Sequence, residues 1–232
     1  MNSDRPPADR TWPQGGPRGQ VRGSGRRPFV RPADDPPGTS RLFVAVPVAA
    51  DVRASLRGVM EKVAGGSIDE RAFGQPRWVR VEGLHLTLRF LGATPDERQP
   101  DVAEALAAAV VGVAPFHVTL SGGGAFPDPL RPRVLWIGIV EGAGQLAETA
   151  HRLDERLEPL GWPPEGRPFA PHLTLARTDG GPGADDRARR LAEVAAGVRL
   201  GWQADRIVLY KSILGRGPAR YEPVATAELG GS

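Results

Sequence analysis

Two hexapeptides, HLTLRF at His85–Phe90 and HLTLAR at His172–Arg177, constrain this chain more than any other feature. They start 87 residues apart, and the first four residues of each alternate polar with apolar, the period of a half-buried strand. His85 and Thr87 therefore share one face, as do His172 and Thr174. Leu86, Leu88, Leu173 and Leu175 anchor the opposite faces. A polar pair and an apolar pair repeated at this distance demand two similar strands, each with a covered side and an open side.

The segments around the motifs repeat as well. RLFVAVPV, Arg41 to Val48, is an apolar run fit for a buried strand, and Val52, Leu56, Val59 and Val63 give residues 51–64 helical spacing. The first motif strand lies within Trp78–Gly92. A helix over 96–111 follows, with Val102, Leu106 and Val110 on its apolar side. FHVTLSG and RVLWIGIV read as strands. Leu146, Ala150, Leu153, Leu157 and Leu160 step by four, three, four and three, which predicts a helix over 144–160. The second motif strand, Phe169–Arg177, precedes a short helix at 185–196 and closing strands in VRLGWQADRIVLYKSIL and RYEPVATAEL. The order strand, helix, His-strand, helix, strand thus occurs once before about residue 125 and once after it. Two similar α+β lobes are expected, with the motif strands facing each other across a cleft.

Residues 1–40 differ in kind. They hold eight prolines, six glycines and few large apolar side chains, too little burial to offset the entropy of ordering. The expected organisation is a disordered extension over 1–40 and a two-lobed domain over 41–232. The extension also carries the charge: seven arginines against four aspartates, whereas the rest of the chain has 23 basic and 23 acidic side chains. The basic isoelectric point does not describe a basic folded surface. With no cysteine, disulfides, thiolate metal sites and a cysteine nucleophile are excluded. No apolar run approaches the roughly 18–20 residues of a membrane span, so a soluble cytoplasmic protein is expected.

Two imidazoles and two hydroxyls around one point suit phosphoryl chemistry. Histidine titrates near neutrality, so one ring can hold a proton while the other lacks it. Phosphodiester hydrolysis needs a base for the incoming water and an acid for the departing oxygen, each worth about 10²–10⁴-fold in rate. Threonine hydroxyls can donate to phosphate oxygens. A metal site competes as an explanation, but neither motif has a second histidine or a carboxylate at i+2 or i+4, and no metal is expected.

These segments resemble the two-histidine phosphoesterase superfamily, and within it the RNA 2',3'-cyclic phosphodiesterases, also called 2'-5' RNA ligases. The resemblance runs from about Arg41 to Leu229 through RLFVAVPV, LHLTLRFLG, FPDPLRPRVLWIGI, RPFAPHLTLAR and YKSIL. It implies a bilobal α+β fold in which two antiparallel sheets line a central cleft, with helices outside. It implies no cofactor and opening of RNA 2',3'-cyclic phosphate ends to 2'-phosphates, with joining of ends through a 2'-5' linkage as the reverse kind of reaction. By motif match His85 is similar to the proton donor, His172 to the proton acceptor, and Thr87 and Thr174 to the phosphate-binding threonines. Arg177 matches a basic residue directed at the phosphate, although in a regular strand it lies on the face opposite His172. Arg89, by the same parity, shares the His85 face, and Ser212 in YKSIL is a weaker candidate.

Two other readings use the same residues: a phosphodiesterase for 2'-5' oligonucleotides or small cyclic nucleotides, and a non-catalytic module that binds RNA ends. The expected partner is RNA ending in a 2',3'-cyclic phosphate, and an internally duplicated cleft needs no dimer, so a monomer is expected. His117 in FHVTL is a third match to His-x-Thr. Its counterpart in the second half is taken to be Val198–Trp202, which has no histidine, so His117 is read as a coincidence. His151, beside the apolar stripe of a helix, is read the same way.

Overall fold

A computed structural model describes residues 36–68, 76–215 and 217–230. The disorder expected of residues 1–40 concerns mostly residues 1–35, which lie outside the described residues. The first strand begins at Thr39.

In chain order the elements are β1 (Thr39–Pro47), α1 (Ala50–Ala64), β2 (Arg77–Trp78), β3 (His85–Pro95), α2 (Gln99–Ala109), β4 (Phe116–Phe126), β5 (Val134–Glu141), α3 (Ala143–Leu157), β6 (His172–Arg177), α4 (Ala184–Ala196), β7 (Leu200–Ala204), β8 (Arg206–Gly215) and β9 (Gly217–Glu228). Short 3-10 turns precede β3 and α2 and extend α3 to Leu160. The helical spacing read from the sequence therefore marks each helix to within a few residues.

All strand pairings are antiparallel, in the order β7-β4-β5-β6-β3-β1-β8-β9, with β2 paired to β6. Two four-stranded sets, β7-β4-β5-β6 and β3-β1-β8-β9, meet where β3 and β6 pair. That junction is one residue pair, Leu86 with Leu173. The sheet is therefore continuous but curls between its sets, and the two motif strands stand side by side at the bend.

The halves of the chain exchange strands. β4 belongs to the first of the two sequence repeats yet lies in the set of the second motif. β8 and β9 come last and join the set of the first motif. The position two strands from the motif strand is held by β4 in one set and by β8 in the other. The counterpart of FHVTL is thus Arg206–Gly215, not Val198–Trp202, because sheet order rather than chain order defines equivalence.

Leu86, Leu88, Leu173 and Leu175 are buried in one apolar core with Val52, Leu56, Leu106, Leu146, Leu153 and Leu191 from the four helices. α3 shows why the stripe matters: Leu146, Ala150, Leu153 and Leu157 are buried, and the one polar residue buried with them, Thr149, returns its hydroxyl to the Gln145 carbonyl. Each buried leucine contributes about 1.5–3 kcal/mol. Covering the leucine side leaves the His–Thr side of β3 and β6 open. Leu86→Ala, at the junction of the two sets, should cost about 2–5 kcal/mol in a urea titration. A cost below about 1 kcal/mol would show that the junction is not a packed part of the core.

Candidate active site

The two motifs are built alike down to an irregularity that alternation does not reveal. In β3, Thr87 pairs with Ala45 and Arg89 with Val44, so Leu88 is an extra residue. In β6, Thr174 pairs with Trp136 and Ala176 with Leu135, so Leu175 is extra. A one-residue bulge reverses the parity of everything beyond it. Burial follows: positions one, three and six of each hexapeptide reach the surface to some degree, and two, four and five are buried.

This settles the placement of Arg177. Its exposed side chain returns to the face of His172, and its charge acts on both His85 and Tyr221 across the junction. It also corrects the expectation for Arg89. Arg89 is buried on the opposite face, where its Nε lies 3.1 Å from Asp154 and its guanidinium donates to the Pro163 carbonyl. Burial raises the Asp154 carboxyl more than Arg89 lowers it. Position six of the first motif is Phe90, 54% exposed, standing where Arg177 stands in the second.

His85 and His172 are held in the same manner. Nδ1 of His85 is 2.6 Å from the Gly83 carbonyl, and Nδ1 of His172 is 2.7 Å from the Ala170 carbonyl. A carbonyl only accepts, so each Nδ1 carries the proton in the neutral ring. Each Nε2 is then left with its lone pair. Thr87 and Thr174 are half-buried beside them.

Aromatic rings surround both imidazoles. Phe43 lies 4.7 Å from the His85 ring, and Tyr221 meets it edge-on at 5.0 Å. Tyr221 gets that close because Gly83 has no side chain: a Cβ there would lie 3.0 Å from the tyrosine ring. Tyr210 on β8 stacks on Phe43. In the other set Phe126, at the end of β4, meets His172 at 5.1 Å and Trp136 packs behind it. The equivalence of β4 with β8 thus has a use, since each delivers a ring to its motif histidine. Sequence reading missed these rings; the one available signal was Phe90, at the same offset from His85 as Arg177 from His172.

The remaining candidates lie elsewhere. His117 is exposed on β4, its ring seated where Gly201 lacks a side chain, with a Cβ there 2.5 Å from its Nε2. His151 is exposed on α3 beside Glu155, and Ser212 is half-buried on β8 opposite Tyr221. Among the described residues no three His, Asp or Glu side chains gather as a metal-ligand group, and no helix is long and apolar enough to cross a membrane.

His85 is the more enclosed imidazole. Desolvation, opposed by the Gly83 hydrogen bond and assisted by the Arg177 charge, lowers its pKa from 6.5 to about 4. Its neutral form is therefore favoured by folding. Between pH 6.5 and about 4 the unfolded chain binds more protons at this position. Stability from His85 is complete above pH 6.5 and is lost as pH falls towards 4. Urea unfolding at pH 7 and pH 4.5 should show a larger loss for the wild type than for His85→Gln; equal losses would contradict the depressed pKa.

The profile of the 2'-5' RNA ligase superfamily matches residues 49–216. The RNA 2',3'-cyclic phosphodiesterase of Thermotoga maritima is 32% identical over 174 residues, 75% of this chain and 87% of that protein. That of Geobacillus stearothermophilus is 32% identical over 194 residues, 83% of this chain, and the match spans only 58% of that longer relative. Among solved structures, TT0787 of Thermus thermophilus superposes with a TM-score of 0.65 at 30% identity, covering 82% of this chain and 98% of that one. E. coli LigT complexed with 3'-AMP gives 0.63 at 26% identity, covering 83% and 99%. An α+β fold with a curled antiparallel sheet, doubled His–Thr strands and a match over residues 49–216 place this chain in the 2'-5' RNA ligase superfamily.

Proposed function

We propose that this protein is a hydrolase that opens RNA 2',3'-cyclic phosphate ends to 2'-phosphate ends without a metal or cofactor. The observation that carries the reading is the pair of His–Thr strands meeting at Leu86 and Leu173, each histidine fixed through Nδ1 so that Nε2 is left for chemistry. The names of the relatives support the substrate. On this reading the protein acts as a cytoplasmic monomer on RNA, and joining of ends through a 2'-5' linkage is the same ring opening with the 5'-hydroxyl of a second end in place of water.

In the hydrolytic direction His172 Nε2 takes a proton from water as its oxygen attacks phosphorus. The bond from phosphorus to O3' breaks, and His85 Nε2 delivers a proton to O3'. The 2'-phosphate remains. Thr87, Thr174 and the Arg177 guanidinium donate to the non-bridging oxygens, whose charge grows in the transition state.

A proton donor with a pKa of about 4 is empty of its proton at neutrality. His85 gains that proton with the substrate: an anionic phosphate at the junction favours the imidazolium and offsets part of the desolvation. The free protein and the complex then titrate differently. The alkaline limb of kcat/KM, which reports the free protein, should lie at lower pH than that of kcat, which reports the complex. Coincident limbs would remove His85 as the donor that is charged by its substrate.

An oligonucleotide ending in a 2',3'-cyclic phosphate should yield a 2'-phosphate end in the presence of EDTA. His85→Ala and His172→Ala should each lower kcat by about 10²–10⁴-fold with circular dichroism unchanged. Loss of turnover on adding EDTA, or full activity in either variant, would refute the proposal.

A further inference from the structure

A cavity of about 720 Å³ opens beside His85, and its charge has no part in the chemistry above. Among the described residues four arginines line it, Arg53, Arg57, Arg80 and Arg220, against one carboxylate, Glu82. They come from three separate places: one face of α1, the segment before the 3-10 turn, and β9. Arg53 donates to the Glu82 carbonyl at 3.3 Å, which ties α1 to the segment carrying His85. Arg80 is half-buried, and its Nε is fully enclosed with no hydrogen-bond partner. An enclosed guanidinium donor without an acceptor is costly, and the guanidinium groups of Arg53, Arg80 and Arg220 around one space repel each other. Both costs fall when an anion enters.

The position of the cavity says which anion. His85 and Tyr221 form part of its wall. In the reaction proposed above, attacking and departing oxygens lie roughly in line through phosphorus. His172 faces the water and His85 faces O3', so the ribose bearing O3' lies on the His85 side. The strand attached to that ribose leaves the junction on the same side, where the arginines are.

We propose that this cavity is a phosphodiester subsite: it binds the backbone of the RNA strand upstream of its cyclic end. The proposal rests on the hydrolytic reading for the direction of the strand, and on the cavity itself for the class of ligand. It makes the protein select RNA ends over free nucleotides by backbone charge, with no base read.

The test compares a nucleoside 2',3'-cyclic phosphate, which has no upstream phosphodiester, with a trinucleotide ending in the same group. In the Arg80→Gln/Arg220→Gln double variant, kcat/KM on the trinucleotide should fall about tenfold, the scale of a lost charge-assisted contact. Turnover of the mononucleotide should stay within about twofold by the same reasoning, which also controls for folding. For the wild type, log(kcat/KM) on the trinucleotide should fall more steeply with log[salt], by about 0.7 per phosphate bound. Equal losses on both substrates, or none on either, would overturn the subsite. Binding of a trinucleotide ending in a 2'-phosphate reads the cavity without turnover. If the wild type hydrolyses neither substrate yet binds this product in a salt- and arginine-dependent way, the subsite stands and the hydrolytic reading falls. Binding unchanged in the double variant sinks the subsite.

Discussion

The pairing of Leu86 with Leu173 is the contact on which the site depends. It is the one register pair between the motif strands, and their side chains are buried among apolar residues of the helices. A longer ladder would draw the two sets into a flatter sheet and run the motifs parallel along their length. A missing pair would leave the two histidines on separate surfaces. One pair fixes the distance between the strands while allowing the sheet to curl. Because His85 and His172 each precede a member of that pair, fixing the leucines fixes the imidazoles.

The paired bulges then set what surrounds them. With Leu88 and Leu175 as extra residues, each hexapeptide sends two adjacent side chains inward and turns its sixth outward to the histidine face. The result differs between the copies because the fifth and sixth residues differ. Alanine in the inward place of β6 needs no partner. Arginine in the inward place of β3 needs Asp154 and the carbonyl of Pro163, supplied by α3 and the loop after it. Outward, one copy offers a ring and the other a cation. The duplication is therefore one of backbone geometry, on which the two halves have placed different chemistry.

Much of this was legible in the sequence where it rests on local period. The His–Thr pairs, their leucine anchors and the apolar stripe of α3 follow from strand and helix spacing, and the structure has them in those elements. What was not legible is non-local. In HLTLRF the alternation runs straight through the bulge, so parity put Arg89 on the wrong face; in HLTLAR the adjacent apolar Leu175 and Ala176 carry its trace, and regular-strand parity made Arg177 look misplaced. The exchange of β4 for β8 and β9 cannot be read from element order, since the chain repeats by halves and the sheet by sets. The rings of Phe43, Tyr210 and Tyr221 come from three strands distant in sequence and converge only through that exchange. His117 was set aside through a wrong counterpart. The structure places it over Gly201, on a strand that serves the site through Phe126 rather than through its histidine.

Two equivalent histidines would make a poor acid–base pair, because equal pKa values favour the same protonation state in both. The closer enclosure of His85 breaks that symmetry. His85 sits under Phe43 and edge-on to Tyr221, with Arg177 directed at the same space; its desolvation and the Arg177 charge oppose protonation, and the Gly83 hydrogen bond favours it. A cationic arginine that disfavours the imidazolium in the empty site is the same group that would hold the anion needed to restore it. Arg177 and substrate then act in opposite directions on one proton: without phosphate the imidazole stays neutral, and with phosphate the arginine charge is largely neutralised. Desolvation and the Arg177 charge, each unfavourable to the imidazolium in the empty site, would then tie the protonation of His85 to the arrival of a phosphate.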